Sequence, residues 1–389
     1  MKITKAEIYV LNIPFKDSFG HFLKIRHHSD SIIVKLITNE GIVGYGEGIA
    51  RPYVTGETVT NSVDCIEKVL LPEIINKNIQ DIKATGNPLI DLSYINKCFS
   101  YPHGSNDVFS WHASKTSVEL AIIDILLQIQ QKSLNWILPE RSETVTYSGV
   151  FSSGNLAKTI KLAKLAKDFG FKYIKIKVGG KDDIKRISAV RDILGGNISI
   201  RLDANGAFNI KEAMQFIKSV EKFDIDCIEQ PIARGSVSGL EIIKSNTSIP
   251  IMVDESIVTY NDAQELIANN ACDYFNLRIS KCGGIYNTLA IADLAKRENI
   301  KIQLGCHVGE TAILSSVGRH IAAYLDSIDF VEGSFGTMLL KEDIAEESIN
   351  FGQKGVASVL NGVGFGIKIC DQYLEKYAVK KIKSDEHKK

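Results

Sequence analysis

The amino-acid sequence predicts an α/β fold, a (β/α) barrel preceded by an α+β segment. Three observations predict it. First, short apolar runs end in polar residues at Lys175-Ile-Lys177, Asp203-Ala-Asn205, Glu229-Gln-Pro231 and Asp254-Glu255-Ser256. A fifth is followed, a few residues on, by Lys281-Cys-Gly-Gly284. Such runs read as short buried strands. Second, Lys177, Asp203, Glu229, Asp254 and Lys281 follow one another at steps of 26, 26, 25 and 27 residues. One strand, one helix and two loops fill that length. Third, helical patterns at 210–221, 238–245 and 261–269 occupy the gaps. Strand ends of such a barrel share one mouth, so two lysines and three carboxylates converge there.

The chain opens on an alternating strand over 2–14. A hairpin over 31–37 and 42–47 follows, turning at Asn39-Glu40-Gly41. Between them residues 16–30 read as a mobile, polar loop that carries Phe19, Arg26, His27 and His28. A second loop, Arg51-Pro-Tyr-Val-Thr-Gly-Glu57, leads to helices at 58–69, 81–98 and 114–131. The barrel pattern begins at 145–150, and a helix over 156–169 stops at Gly170. Beyond Lys281 come a helix at 285–298, a strand at 301–305, a helix at 311–324 and a strand at 328–332. That gives eight strands, near 146, 175, 201, 228, 252, 276, 303 and 330, and no eighth helix. Residues 1–125 thus read as an α+β domain completed by 346–380, residues 126–345 as the barrel, and 381–389 as a disordered charged tail.

Composition narrows the function. With 389 residues, 44% hydrophobic and 24% charged, the chain reads as a soluble globular protein of one large and one smaller domain. Its 46 basic and 46 acidic residues cancel, so neither nucleic acid nor a membrane surface is an expected partner. No signal-peptide core or bilayer-length apolar run is evident. Seven scattered cysteines without a Cys-x-x-Cys pair fit a reducing cytoplasm. The expected partner is a small-molecule substrate. Oligomeric state stays open, a homo-oligomer included.

Asp203, Glu229 and Asp254 at three successive strand ends form an all-oxygen set that suits one Mg²⁺ with open positions. Lys175 and Lys177, at i and i+2, point to one face of a central strand, into the barrel. Lys281 stands four strands further round, opposite Lys177. A buried lysine is costly unless paired or working. Lysines on either side of a divalent metal point to proton removal on one face and delivery on the other. The chemistry fits a carbon acid next to a carboxylate, with the metal stabilising the enediolate. The enolase-superfamily pattern pairs a Lys or His base with Mg²⁺ in this way. A non-catalytic binding barrel would not need both lysines.

These motifs, taken together, are similar to those of the enolase superfamily, in its muconate-lactonizing-enzyme subgroup, over nearly the whole chain. The resemblance implies a modified (β/α)₇β TIM barrel with an N-terminal capping domain. It implies Lys177 and Lys281 as the acid/base pair, Lys175 as their polarising neighbour, and Asp203, Glu229 and Asp254 as metal ligands. Within the subgroup the chain most resembles the dipeptide epimerases, such as the L-Ala-D/L-Glu epimerases, through 277–284, 51–57 and Asp329-Phe-Val-Glu332. That implies an isomerase inverting the α-carbon of the C-terminal residue of an L-Ala-L-Xaa dipeptide. Those enzymes carry Asp-x-Asp after strand eight, where the substrate ammonium binds. Glu332-Gly-Ser334 stands here instead, so N-acylamino-acid racemisation, o-succinylbenzoate synthesis and muconate-type cycloisomerisation stay open. Glu332, Ser334, Arg26, His307 and Asn205 are the expected substrate contacts. Cys282 and Cys306 lack a base partner and are not nucleophile candidates.

Overall fold

The structure, a computed structural model, describes residues 1–21, 24–99 and 108–385. Five strands open the chain: β1 (Ile3–Leu11), β2 (Pro14–His21), β3 (Lys24–His28), β4 (Ile32–Thr38) and β5 (Val43–Gly48). Next come β6 (Thr144–Thr146), β7 (Gly149–Phe151), β8 (Tyr173–Lys177), β9 (Ser199–Asp203), β10 (Cys227–Glu229) and β11 (Ile251–Val253). The last are β12 (Tyr274–Leu277), β13 (Lys301–Leu304), β14 (Phe330–Val331), β15 (Val356–Ser358) and β16 (Ala378–Asp385).

Strands β7 to β14 form one parallel eight-stranded sheet in sequence order. A parallel bridge between Tyr147 and Val331 joins its two edges, with Ser148 N donating to Val331 O at 2.8 Å. The ring is therefore a closed barrel with helices between its strands, as the repeat predicts. Local chemistry marks where those helices start. Asn155, Asn209 and Thr259 each accept a backbone N–H of the first turn. Each such cap contributes about 1 kcal/mol. Gly170, at φ 81°, ends the 156–169 helix in a left-handed turn.

The second sheet is antiparallel, in the order β16-β1-β4-β5. Helix His112–Ile129 lies against it, and 15 of its 18 residues are buried. Glycine alternation in β5 brings the two backbones together. A Cβ at Gly44, Gly46 or Gly48 would stand 2.3, 2.0 or 2.1 Å from the carbonyl oxygens of Ala121, Ser117 and Ala113. Period two on the strand meets period four on the helix. This contact fixes the helix and with it His112, at the barrel mouth.

Four segments differ from the sequence expectation. Residues 16–30 are not an open loop: β2 and β3 pair as an antiparallel hairpin. The 81–98 helix is two short ones, Pro88–Asp91 and Ser93–Lys97. The first barrel strand is β7, while β6 pairs with β15. Residues 381–385 are not disordered but belong to β16, which pairs with β1 from Lys5–Asp385 to Leu11–Ala378. Residues 386–389 lie outside the described residues.

Candidate active site

The strand ends deliver polar side chains to the mouth, because alternation on a buried strand aims residues i and i+2 inward. On β8 these are Lys175 and Lys177, on β9 Arg201 and Asp203, on β10 Glu229. Lys175 is the hub. Its Nζ lies 3.0 Å from Asp203 Oδ2, 2.9 Å from Glu229 Oε2 and 3.0 Å from Glu332 Oε2. Burial disfavours its charge, but those three carboxylates outweigh burial and hold its pKa well above the ordinary lysine value. Lys175 is a fixed cation.

Lys177 Nζ donates to Asp203 Oδ2 at 2.6 Å and Asn205 Oδ1 at 2.8 Å. Lys281 follows β12 on the single turn Ile279–Cys282 and is fully buried. Its Nζ donates to Asp254 O, Asp254 Oδ1 and Asn276 O at 2.7, 2.9 and 2.6 Å. In the ring, β8 and β12 stand four strands apart, on opposite sides of the mouth.

Among the described residues, no three carboxylates close into a ready metal cage. Cations lie on their oxygens instead: Lys175 and Lys177 on Asp203, Arg278 and Lys281 on Asp254, and Lys175 on Glu229. Burial would raise Asp203, but Lys175 and Lys177 hold it well below the carboxylate range. Asp254 is likewise lowered against burial, by Arg278 and Lys281. Glu229 is raised, by burial and then by the Asp203 charge. Burial, then Asp254 and Asp203, push Glu255 up to about 7.

The expected substrate contacts are distributed unevenly. Asn205 bridges Lys177 to Glu255. His307 is buried, 3.5 Å from Arg278 NH1, and burial and the Arg278 charge lower its pKa well below 6.5. Arg26 pairs with Asp30, which also takes Arg51, and Arg26 borders a cavity of about 30 Å³ beside Lys177 and Asn205. Glu332 is shared by Lys175 and, at 2.9 Å, Arg201. The Ser334 hydroxyl donates to Tyr147 Oη at 2.9 Å. A larger cavity, about 300 Å³, opens over Lys175 and Lys177 and has Phe19, Leu162, Phe335, Met338 and Leu339 among its walls.

Sequence reasoning missed Arg201, Arg278, Asn276 and Gln303. Arg201 is fully buried, its guanidinium 4.0 Å from the centre of the Phe330 ring. Asn276 and Gln303 donate to the two oxygens of Glu229 at 2.8 and 3.2 Å. Each is a polar residue inside an apolar run. Arg201 also sits two positions before Asp203, on the same strand face, and that spacing was a readable signal.

Residues 158–373 match the family model described as enolase C-terminal domain-like. The N-succinyl-L-Arg/Lys racemase of Bacillus cereus is 31% identical over 338 residues, 85% of this chain and 87% of that protein. The hydrophobic dipeptide epimerase of Enterococcus faecalis is 32% identical over 331 residues, 83% of this chain and 87% of that one. Among solved structures, the B. cereus racemase superposes with a TM-score of 0.88 at 28% identity, over 99% of this chain and 100% of that chain. A dipeptide epimerase from Cytophaga hutchinsonii, complexed with Mg and D-Ala-L-Val, gives 0.86 at 27%, over 98% and 100%. The chain belongs to the enolase superfamily, within the enolase C-terminal domain-like family. Its relatives are epimerases and racemases, and it is an isomerase of that group. No helix among the described residues is long and apolar enough to cross a membrane.

Proposed function

We propose that the protein moves a proton at the α-carbon of an N-acylated α-amino acid, with Lys177 and Lys281 as the two bases. What carries the reading is their position: Lys177 ends β8, and Lys281 follows β12 four strands away across the mouth. One lysine takes the α-proton from its face while the other gives a proton to the opposite face, and the roles exchange in the reverse reaction. Asp203 and Asn205 hold the Lys177 ammonium, and Asp254 and Asn276 hold that of Lys281.

Asp203, Glu229 and Asp254 would hold Mg²⁺. The donor set is all oxygen, as Mg²⁺ prefers. Glu229 is raised by burial and its acidic neighbours, and the buried Glu255 Oε2 has no hydrogen-bond partner among the described residues. When bound, Mg²⁺ supplies positive charge to a substrate carboxylate as negative charge develops on it. Arg278 and Lys281 share Asp254, so an ion held there would take the place of one of these contacts.

The acyl side is read from strand eight. Two cations already share Glu332, so its charge is taken up, and Ser334, whose hydroxyl donates to Tyr147, brings no charge to offset a substrate ammonium. The larger, mostly apolar-walled cavity suits an acyl arm without a cationic end, as in N-succinyl amino acids, the class carried in the name of the B. cereus relative. Dipeptide epimerisation is the second reading. The exposed Asp17 carboxylate on the wall of the same cavity favours it, as an alternative partner for an ammonium. The test is incubation in D₂O with Mg²⁺, reading α-deuterium by mass in N-succinyl-L-lysine, N-acetyl-L-lysine, L-Ala-L-Glu and L-Ala-L-Val. Faster incorporation into the acylated lysines supports the first reading. Faster incorporation into the dipeptides moves the assignment to the second, and incorporation into none contradicts both.

A further inference from the structure

We propose that His112 is a positioning residue for Lys281: its ring Nδ1, 2.7 Å from the Lys281 carbonyl oxygen, ties the turn that carries this lysine to helix 112–129. The proposal rests on the two-base reading above.

A single helical turn does not hold itself, because nucleation is unfavourable and one turn gains too few hydrogen bonds. The Ile279–Cys282 turn is held from outside, by the N-terminal part of the chain. Ile49 N donates to Ser280 Oγ at 2.9 Å, and Ser280 Oγ donates to Ile49 O at 3.3 Å. Glu119 accepts from Tyr286 N at 3.3 Å, just beyond the turn. His112 supplies the contact to Lys281 itself. A carbonyl only accepts, so Nδ1 carries the proton. Burial lowers the imidazole pKa to about 4, which keeps the ring neutral near pH 7.

The Gly-Gly after Lys281-Cys is explained by the same contact. At Gly283, φ is +86° and a Cβ would lie 2.8 Å from the His112 ring. At Gly284, φ is +99° and a Cβ would lie 1.2 Å from a Glu119 carboxylate oxygen. Only glycine at both positions lets the turn press against the helix. The helix is in turn pressed on β5 through Gly44, Gly46 and Gly48. A chain of close contacts, backbone to backbone at β5 and side chain to backbone at the turn, thus runs from the antiparallel sheet to one base. Lys177 has no part in it: it sits in the β8–β9 ladder, opposite Asp203.

The consequence is one-sided. Loosening the turn displaces Lys281 and leaves Lys177 where it is, and a misplacement of about 1 Å costs about a hundredfold in rate. Exchange of the α-proton in D₂O reads each base separately. The probes are N-succinyl-L-lysine and N-succinyl-D-lysine, and the Lys281→Ala variant identifies the epimer whose proton Lys281 removes. His112→Leu is expected to slow that epimer by about ten- to a hundredfold and leave the other unchanged. His112→Asn, whose amide donates from nearly the same place as Nδ1, is expected to recover most of the loss. Equal slowing of both epimers, slowing of neither, or an Asn variant no better than Leu would overturn the proposal alone. If the dipeptides exchange and N-succinyl-lysine does not, the two epimers of the dipeptide exchanged fastest are the probes, and wild-type enzyme that exchanges none of these compounds would overturn the two-base reading and this proposal with it.

Discussion

Lys175 and Glu332 form a 3.0 Å ion pair in the barrel mouth, and both are buried. The pair makes Glu332 part of the scaffold. Its other oxygen is 2.9 Å from Arg201, which makes no other ion pair among the described residues and has Nε and NH1 buried without partners. Glu332→Gln strands that guanidinium, and an uncompensated buried charge costs about 3–5 kcal/mol. The expected outcome is a loss of this order in urea unfolding, with KM for L-Ala-L-Glu and N-succinyl-L-lysine shifted alike. A KM loss confined to the dipeptide, with stability intact, would return Glu332 to the role of ammonium ligand.

Metal dependence follows from the three carboxylates. Asp203→Asn, Glu229→Gln and Asp254→Asn should each abolish the heat of Mg²⁺ binding in calorimetry and lower deuterium exchange by at least about a hundredfold. EDTA should do the same reversibly in the wild type. Calorimetric titration of the metal-free protein checks both. Undiminished exchange after chelation would remove the metal from the account.

Gly284 and Gly41 make a matched test of close approach. Both have positive φ, +99° and +81°, but nothing lies within 4 Å of a Cβ at Gly41. Gly41→Ala should cost only the left-handed backbone penalty, about 1–2 kcal/mol. Gly284→Ala meets the Glu119 carboxylate as well and should cost about 3 kcal/mol or more. Equal losses of stability would mean that the turn after Lys281 can withdraw from the helix freely.

Glu47 sets a pH dependence. It accepts hydrogen bonds from Ser31 Oγ, Thr311 N, Thr311 Oγ1 and Leu314 N, yet burial pushes it up to about 7. The folded chain therefore binds this proton more tightly than the unfolded chain, where a glutamate titrates near pH ~4.3. The stability it contributes is complete below that value and is lost as pH rises toward about 7. Between about pH 5 and 7.5 the wild-type Tm should fall relative to that of Glu47→Gln, which does not titrate. A constant Tm difference over that range would show Glu47 ionised throughout.

Periodic features were legible in the sequence. The barrel strands and their helices recur at a fixed length. Gly170 marks a helix end through its own left-handed conformation, which depends on near neighbours only. The same repeat delivered Lys177, Asp203, Glu229, Asp254 and Lys281. Long-range pairing was not legible. Nothing in residues 16–30 announces that β2 will find β3. The charged residues of 381–389 read as a disordered tail, although Ile382 packs on the core opposite Ile8 and charged residues are normal on an edge strand. The Arg201–Glu332 pair joins residues 131 apart in sequence, and only the closed ring brings them together.

The most direct test of the account separates the two bases in D₂O. Wild-type enzyme with Mg²⁺ should convert either epimer of the N-acyl amino acid it uses best into product carrying α-deuterium. Lys177→Ala should exchange the α-proton of one epimer only, and Lys281→Ala that of the other only, with neither variant interconverting the two. A single-lysine variant that still interconverts both epimers would contradict the two-base assignment.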